Sequence, residues 1–125
     1  MQECSFTELK EWLKRAQLSE AQIRTKRGLV KKWKDLALEI PNESDALKQK
    51  ISEAESVIEK QVIDLINIGI EISEVIEKVP DPIQRLILEK RYLLNKYMAE
   101  IAEEIHYSQR QIERLHDKAL SKLKK

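Results

Sequence analysis

Arg110, Arg114, Lys118 and Lys122 recur at four-residue intervals in the closing stretch "HYSQRQIERLHDKALSKLKK". On a helix that spacing lays them along one slowly drifting stripe. A guanidinium fork fits O6 and N7 of guanine, Gln pairs with adenine, and Glu accepts from cytosine. Gln109, Arg110, Glu113 and Arg114 therefore form a set able to read base edges. Ser108 just ahead is first an N-cap, and a capped helix start also offers N–H groups to a phosphate. Lys96, Arg91 and Lys118 suit phosphate better than bases. The bland alternative is a solvated helix end whose cations complement the macrodipole, with Arg110 and Glu113 as an i, i+3 surface pair.

Other chemistry finds no support. His116 reads as a surface or partly packed side chain and His106 as a turn residue, because no Ser, Cys or carboxylate constellation accompanies either. There is no phosphate loop, metal-ligand spacing or nucleophile motif, so neither an enzyme nor a metal or cofactor is expected. The single cysteine, Cys4, excludes an internal disulfide. Net charge is +1, so any electrostatic role rests on distribution. Residues 41–79 hold four Lys/Arg against nine Asp/Glu, and residues 108–125 hold six against two. The most apolar run, "VIDLINIGIEI", is too short for a bilayer and carries Asp64 and Glu71, and the start lacks a signal-peptide pattern. A cytoplasmic protein without membrane contact is expected.

The elements that must position the stripe are helical. Of 125 residues, 42% are hydrophobic and 36% charged, rich in Lys, Glu, Leu and Ile with two Gly, which points to long helices. Leu9, Ala16, Ile23, Val30 and Ala37 share one heptad position, flanked by Trp12, Leu13, Leu29, Trp33, Leu36 and Ile40. Gly28, costing about 1 kcal/mol relative to Ala, marks a place for a break or bend. "PNESDA" separates two helices, Pro41 ending the first and Ser44 or Asp45 capping the second. Leu47, Ile51, Ala54, Ile58, Gln61, Leu65, Ile68, Ile72, Val75 and Val79 then run at spacings of four and three. Val62, Ile66, Gly69, Ile70 and Ile76 widen that face beyond one seam, so a further layer is expected: the rest of the chain, or a second hairpin completing a four-helix bundle. "LINIGIEI" alternates like a strand, but the heptad runs through it.

After "VP" the pattern changes to short helices. Asp81 before Pro82 is a helix start. Ile83, Leu86, Ile87 and then Leu93 or Leu94 form its apolar face, and Asn95 suits a left-handed residue beyond its end. "MAEIAEEI" turns Met98, Ile101, Ala102 and Ile105 inward. Three residues later the final helix presents Ile112, Leu115, Ala119 and Leu123. A small residue at the crossing, a tight turn, a Ser cap and an apolar residue four positions on make a helix-turn-helix.

Those residues resemble region four of bacterial sigma-70-type factors, in Ile101, Ala102, Ser108, Ile112, Lys118, Ala119, Leu120, Lys122 and Leu123. Three departures stand out: His106 replaces the usual turn Gly, Tyr97 stands where a Ser or Thr cap is expected, and there is no promoter-melting region. In primary sigma factors the position matching Arg110 is typically glutamate. Over nearly its whole length the chain also resembles a family of small phage and prophage proteins of unknown function, through "ELKEWLKRA", "RY", "EIAEE", "YS" and "RLHDKAL". The resemblance implies an all-α protein: a long antiparallel helical hairpin over 1–79 for interaction or oligomerisation, then a three-helix DNA-binding domain over 80–125. It also implies a phage or prophage transcriptional regulator that binds duplex DNA, and its hairpin is expected to serve either self-association into a homodimer or contact with RNA polymerase. A phage DNA-packaging recognition protein and a hairpin that no longer binds DNA are the competing readings.

Overall fold

The computed structural model describes residues 6–42 and 45–123; Cys4 and the Ser44 cap fall outside them. Six α-helices and one π-helical turn occupy this span, with no strand among the described residues. They are α1 (Phe6–Leu13), α2 (Arg15–Ala37), α3 (Asp45–Ile76), α4 (Pro82–Leu88), the π-helical turn (Glu89–Leu93), α5 (Met98–Ile105) and α6 (Gln109–Leu123). The all-α architecture is the one the periodicity calls for. Two details of the hairpin differ from the sequence reading. Helix α2 runs unbroken through Gly28, and the interruption falls at Lys14. A lone glycine's propensity cost is smaller than the loss of a continuous hydrogen-bonded helix that buries Ile23 and Val30 on either side. Helix α2 also stops at Ala37, ahead of Pro41, leaving Leu38 and Ile40 exposed in a turn closed by Asn42 at φ 73°.

The chain divides into two compact units: Met1–Gln17 with Ile68–Lys125, and Leu18–Asn67. In the second, α2 and α3 pack as an antiparallel pair. Ile23, Val30 and Ile58 form its core, edged by Ile51, Ala54, Val62 and Leu65. Lys34 meets Glu55 at 2.8 Å on the flank. Asn67 does not end the helix: α3 runs through "LINIGIEI" to Ile76, because the four-and-three spacing of Leu65, Ile68, Ile72 and Val75 continues one helical face through it. Beyond the seam the excess apolar surface is only partly closed. Ile72 and Ile76 are buried, whereas Ile63, Ile66 and Ile70 stay more than half exposed.

The first unit holds the helix-turn-helix. Helix α4 starts as read. Asp81 has extended backbone, its carboxylate accepts from Ile83 N at 2.8 Å and Gln84 N at 3.1 Å, and Pro82 takes the first helical position. Arg85 reaches back to the carbonyls of Val79 and Pro80, fixing the entry to the helix. Ile87, Ile101, Ala102 and Ile112 form the core where α4, α5 and α6 meet, surrounded by Ile83, Met98, Ile105 and Leu115. Ala102 serves as the small residue at the crossing. Helix α1 also touches α6, and Leu9 and Leu13 on it are buried.

Candidate nucleic-acid interface

Helix α6 begins at Gln109 because Ser108 caps it reciprocally. Ser108 Oγ accepts from Gln111 N at 3.2 Å, while Gln111 Oε1 accepts from Ser108 N at 3.0 Å. This is a capping box with Gln at its third position, and it fixes where the helix starts and so which side chains face outward. The turn before it needs one left-handed residue. His106 supplies it at φ 61° and ψ 41°, and Tyr107 N bonds to Ala102 O at 3.0 Å. Asn95 does the same service after the π-helical turn at φ 57°. At the start of α5 the missing Ser or Thr is replaced from the other side, since Glu100 Oε1 accepts from Tyr97 N at 3.0 Å.

The inward face of α6 carries Ile112, His116, Ala119 and Leu120, all buried. The outward face of its first turns carries Gln109, Arg110, Glu113 and Arg114, then Lys118, all exposed. Glu113 does not pair with Arg110 as the spacing suggests; it accepts from Gln109 Nε2 at 3.3 Å, four residues back. Arg110, Arg114 and Lys118 make no hydrogen bond or ion pair among the described residues. Lys122, the fourth cation of the stripe, bends inward instead. Its ammonium donates to Oε1 of the buried Gln84 at 2.8 Å, which satisfies an amide on α4 and removes that charge from the outer face.

Lys96 and Arg91 sit elsewhere, around the π-helical turn. Lys90 and Lys96 both donate to Glu104, at 2.5 and 2.6 Å. These hydrogen bonds hold the Glu104 carboxyl below its usual range, and the one from Lys96 raises that ammonium's affinity for its proton. Arg91 Nη1 donates to Lys96 O at 3.2 Å, and Arg91 O accepts from Gln17 Nε2 at 2.9 Å. Both cations therefore help to fold the connection between α4 and α5. Leu94 N bonds to Glu89 O, five residues back, so this turn is one residue wider than an α-turn. It brings Tyr92 inside and leaves Leu94 61% exposed, so Leu94 is not the apolar contact the α-helical period offered as one choice.

His116 departs most from its expected place. It is buried at 4% exposure, its ring 5.6 Å from that of Tyr92 with 29° between the planes. Tyr92 Oη lies 2.6 Å from Nε2, and Asp117 Oδ1 lies 3.0 Å from Nδ1. A carboxylate can only accept, so Nδ1 carries the proton and Nε2 accepts from the phenol. Burial pushes the His116 pKa down and the Tyr92 pKa up to about 12, which keeps both neutral. The sequence does carry the signal: His116 falls four residues after Ile112, in step with the buried face.

A three-helix core, a tight left-handed turn, and a capped final helix with its polar face free are now in place. Residues 81–125 match the family model described as Sigma-70, region 4. The C-terminal segment is a sigma-70 region-4-like helix-turn-helix domain, which supports a DNA-binding, regulator-like role. No curated protein and no solved structure matches the chain. No described helix is long and apolar enough to cross a membrane.

Proposed function

We propose that this chain is a sequence-specific DNA-binding transcriptional regulator of phage or prophage type, acting in the cytoplasm. Its sigma-region-4-like domain places α6 in the major groove, with Gln109, Arg110, Glu113 and Arg114 toward base edges and the capped start at Ser108 beside a phosphate. The observation that carries this reading is the free state of Arg110 and Arg114. Both are exposed on the first two turns of a rigidly packed helix, with their donors unclaimed among the described residues. Lys118 holds the backbone, and Lys96 and Arg91 add positive charge from the connection before α5. The hairpin over 1–79 serves oligomerisation or contact with RNA polymerase, and the exposed Ile63 and Ile66 support a partner there.

A randomised-duplex selection with parent, Arg110→Ala and Lys118→Ala tests the reading. Where the matching position is typically glutamate, an arginine prefers guanine, so the selected site differs from the usual minus-thirty-five hexamer. Arg110→Ala is expected to cost about 1 to 3 kcal/mol on that site and to flatten preference at one base pair. Lys118→Ala weakens all duplexes alike and lowers the salt slope by about one unit. An unchanged motif for Arg110→Ala would reduce the stripe to a solvated helix face.

A further inference from the structure

The largest concentration of positive charge lies outside the helix-turn-helix. From Ala21 to Lys34 the chain holds six Lys/Arg and no Asp/Glu. Arg24, Lys31 and Lys32 fall four residues before Gly28 and three and four after it, the positions that share its face of the helix, and Arg27 flanks them on one side. All four are exposed, and none has a hydrogen bond or ion pair among the described residues. Gly28 is exposed at their centre. Its φ is not positive, and a Cβ built on it meets nothing within 4 Å, so neither backbone conformation nor packing excludes a side chain there. Gly69 is equally open, but its helical neighbours are Leu65, Ile66, Ile72 and Ser73. The combination of a bare helix surface and four free cations occurs at Gly28.

We propose that this face of α2 binds the phosphate backbone of duplex DNA, as a sequence-independent contact separate from α6. The absence of Cβ lets a phosphate oxygen approach the helix between four donors, which a bulkier residue would hold off. Carboxylates weaken the site only in part. Glu20 and Asp35 lie beyond its two ends, and Glu55 and Glu59 border the groove beside Arg27 and Lys31, where Lys34 already engages Glu55. The ring keeps an excess of positive charge. A membrane surface fits less well, because lipid binding needs apolar side chains on the same face. Leu29 and Trp33 instead border a groove with Ala54 and Val57 on another flank. The choice of DNA rests on the reading of α6 given above.

Salt titrations on two duplexes, the selected site and a scrambled one, test the full chain in four forms: parent, the ring variant Arg24→Gln/Arg27→Gln/Lys31→Gln/Lys32→Gln, Gly28→Ala, and Arg110→Ala. The ring variant is expected to lower the salt slope by about three to four units on both duplexes and to leave the selected motif unchanged. Gly28→Ala should raise the melting temperature, as Ala favours helix, yet weaken both duplexes several-fold. Arg110→Ala should affect the selected duplex alone. A folded ring variant with the parent's slope overturns the proposal, as does Gly28→Ala with unchanged affinity. Ring-dependent binding to phosphatidylserine vesicles without ring-dependent binding to duplex also overturns it. Should the parent bind every duplex equally and lose its slope in the ring variant, the proposal stands and the reading of α6 fails. A parent that binds no duplex defeats both.

Discussion

The two compact units differ in how completely they are closed. All ten of the largest fully buried side chains, from Leu13 through Ile72, Ile87 and Tyr92 to Leu120, belong to the unit that contains the helix-turn-helix. Among the described residues the hairpin unit has none. Its core residues Ile23, Val30 and Ile58 keep 3 to 7% exposure, while Leu29, Trp33, Leu36, Val57, Ile63 and Ile66 stand more than 40% exposed. The reason is geometric. Two helices share one seam and leave the flanks of both in water, whereas α4, α5 and α6 with α1 enclose a volume from several sides. Closed packing on Ile112, His116, Ala119 and Leu120 fixes which side of α6 faces outward. The open hairpin keeps apolar side chains in water.

Substitutions in the two cores should break this comparison if it is wrong. Ile112→Ala, at the centre of the closed unit, is expected to cost about 2 to 5 kcal/mol. Val30→Ala removes fewer carbons, from a seam with half-open edges, and should cost about 1.5 kcal/mol. Chemical denaturation followed by circular dichroism measures both, and equal losses would show that the hairpin is closed in solution by a partner.

Next in size is the buried Tyr92–His116 pair. Tyr92→Phe leaves Nε2 of His116 without its donor, at a cost of about 1 to 3 kcal/mol. The same pair gives the closed unit a dependence on pH. Burial is the main cause of the lowered His116 pKa, aided by Lys10 and Arg91 and opposed by the hydrogen bond to Asp117. Below the ordinary value of 6.5 the unfolded chain takes up a proton that the folded chain resists, so stability falls as pH drops from there. Tyr92, raised from 10.0 to about 12, adds stability that is lost as pH rises through that range. Melting curves of parent and His116→Gln should diverge between pH 7 and 5, the parent losing more. Parallel curves would mean that His116 is solvated.

Smaller effects belong to the helix starts. Asp81→Ala frees the N–H groups of Ile83 and Gln84 and should cost about 0.5 to 2 kcal/mol. Ser108→Ala should cost a similar amount and also fray the first turn of α6, weakening DNA binding more than Asp81→Ala does. The smallest effect on folding is expected at the open flank. Ile63→Glu/Ile66→Glu should change monomer stability by roughly 0.5 kcal/mol or less, yet abolish any self-association seen by equilibrium sedimentation. A large loss of stability in a monomeric parent would show those side chains to be buried.

Sequence alone determined the helical class, the two long helices and the short helices after Pro80, because each rests on local periodicity and on residues whose backbone or capping chemistry is intrinsic. Asp81 with Pro82, Asn95, His106 and Ser108 act within a few residues of themselves, so their roles were legible without a fold. The outward set on α6 was legible for the same reason, since Ile112 and Ala119 fix which face turns in. Only the tertiary structure decided what depended on distant partners. It buried His116 against Tyr92, drew Lys122 from the basic stripe to Gln84, and turned Lys96 toward Glu104. It also carried α2 unbroken through Gly28 and joined Leu9 and Leu13 to the unit that holds α6. A helical wheel gives the direction of each side chain, but whether a polar group there meets water, a partner or an opposing charge is set by a helix tens of residues away.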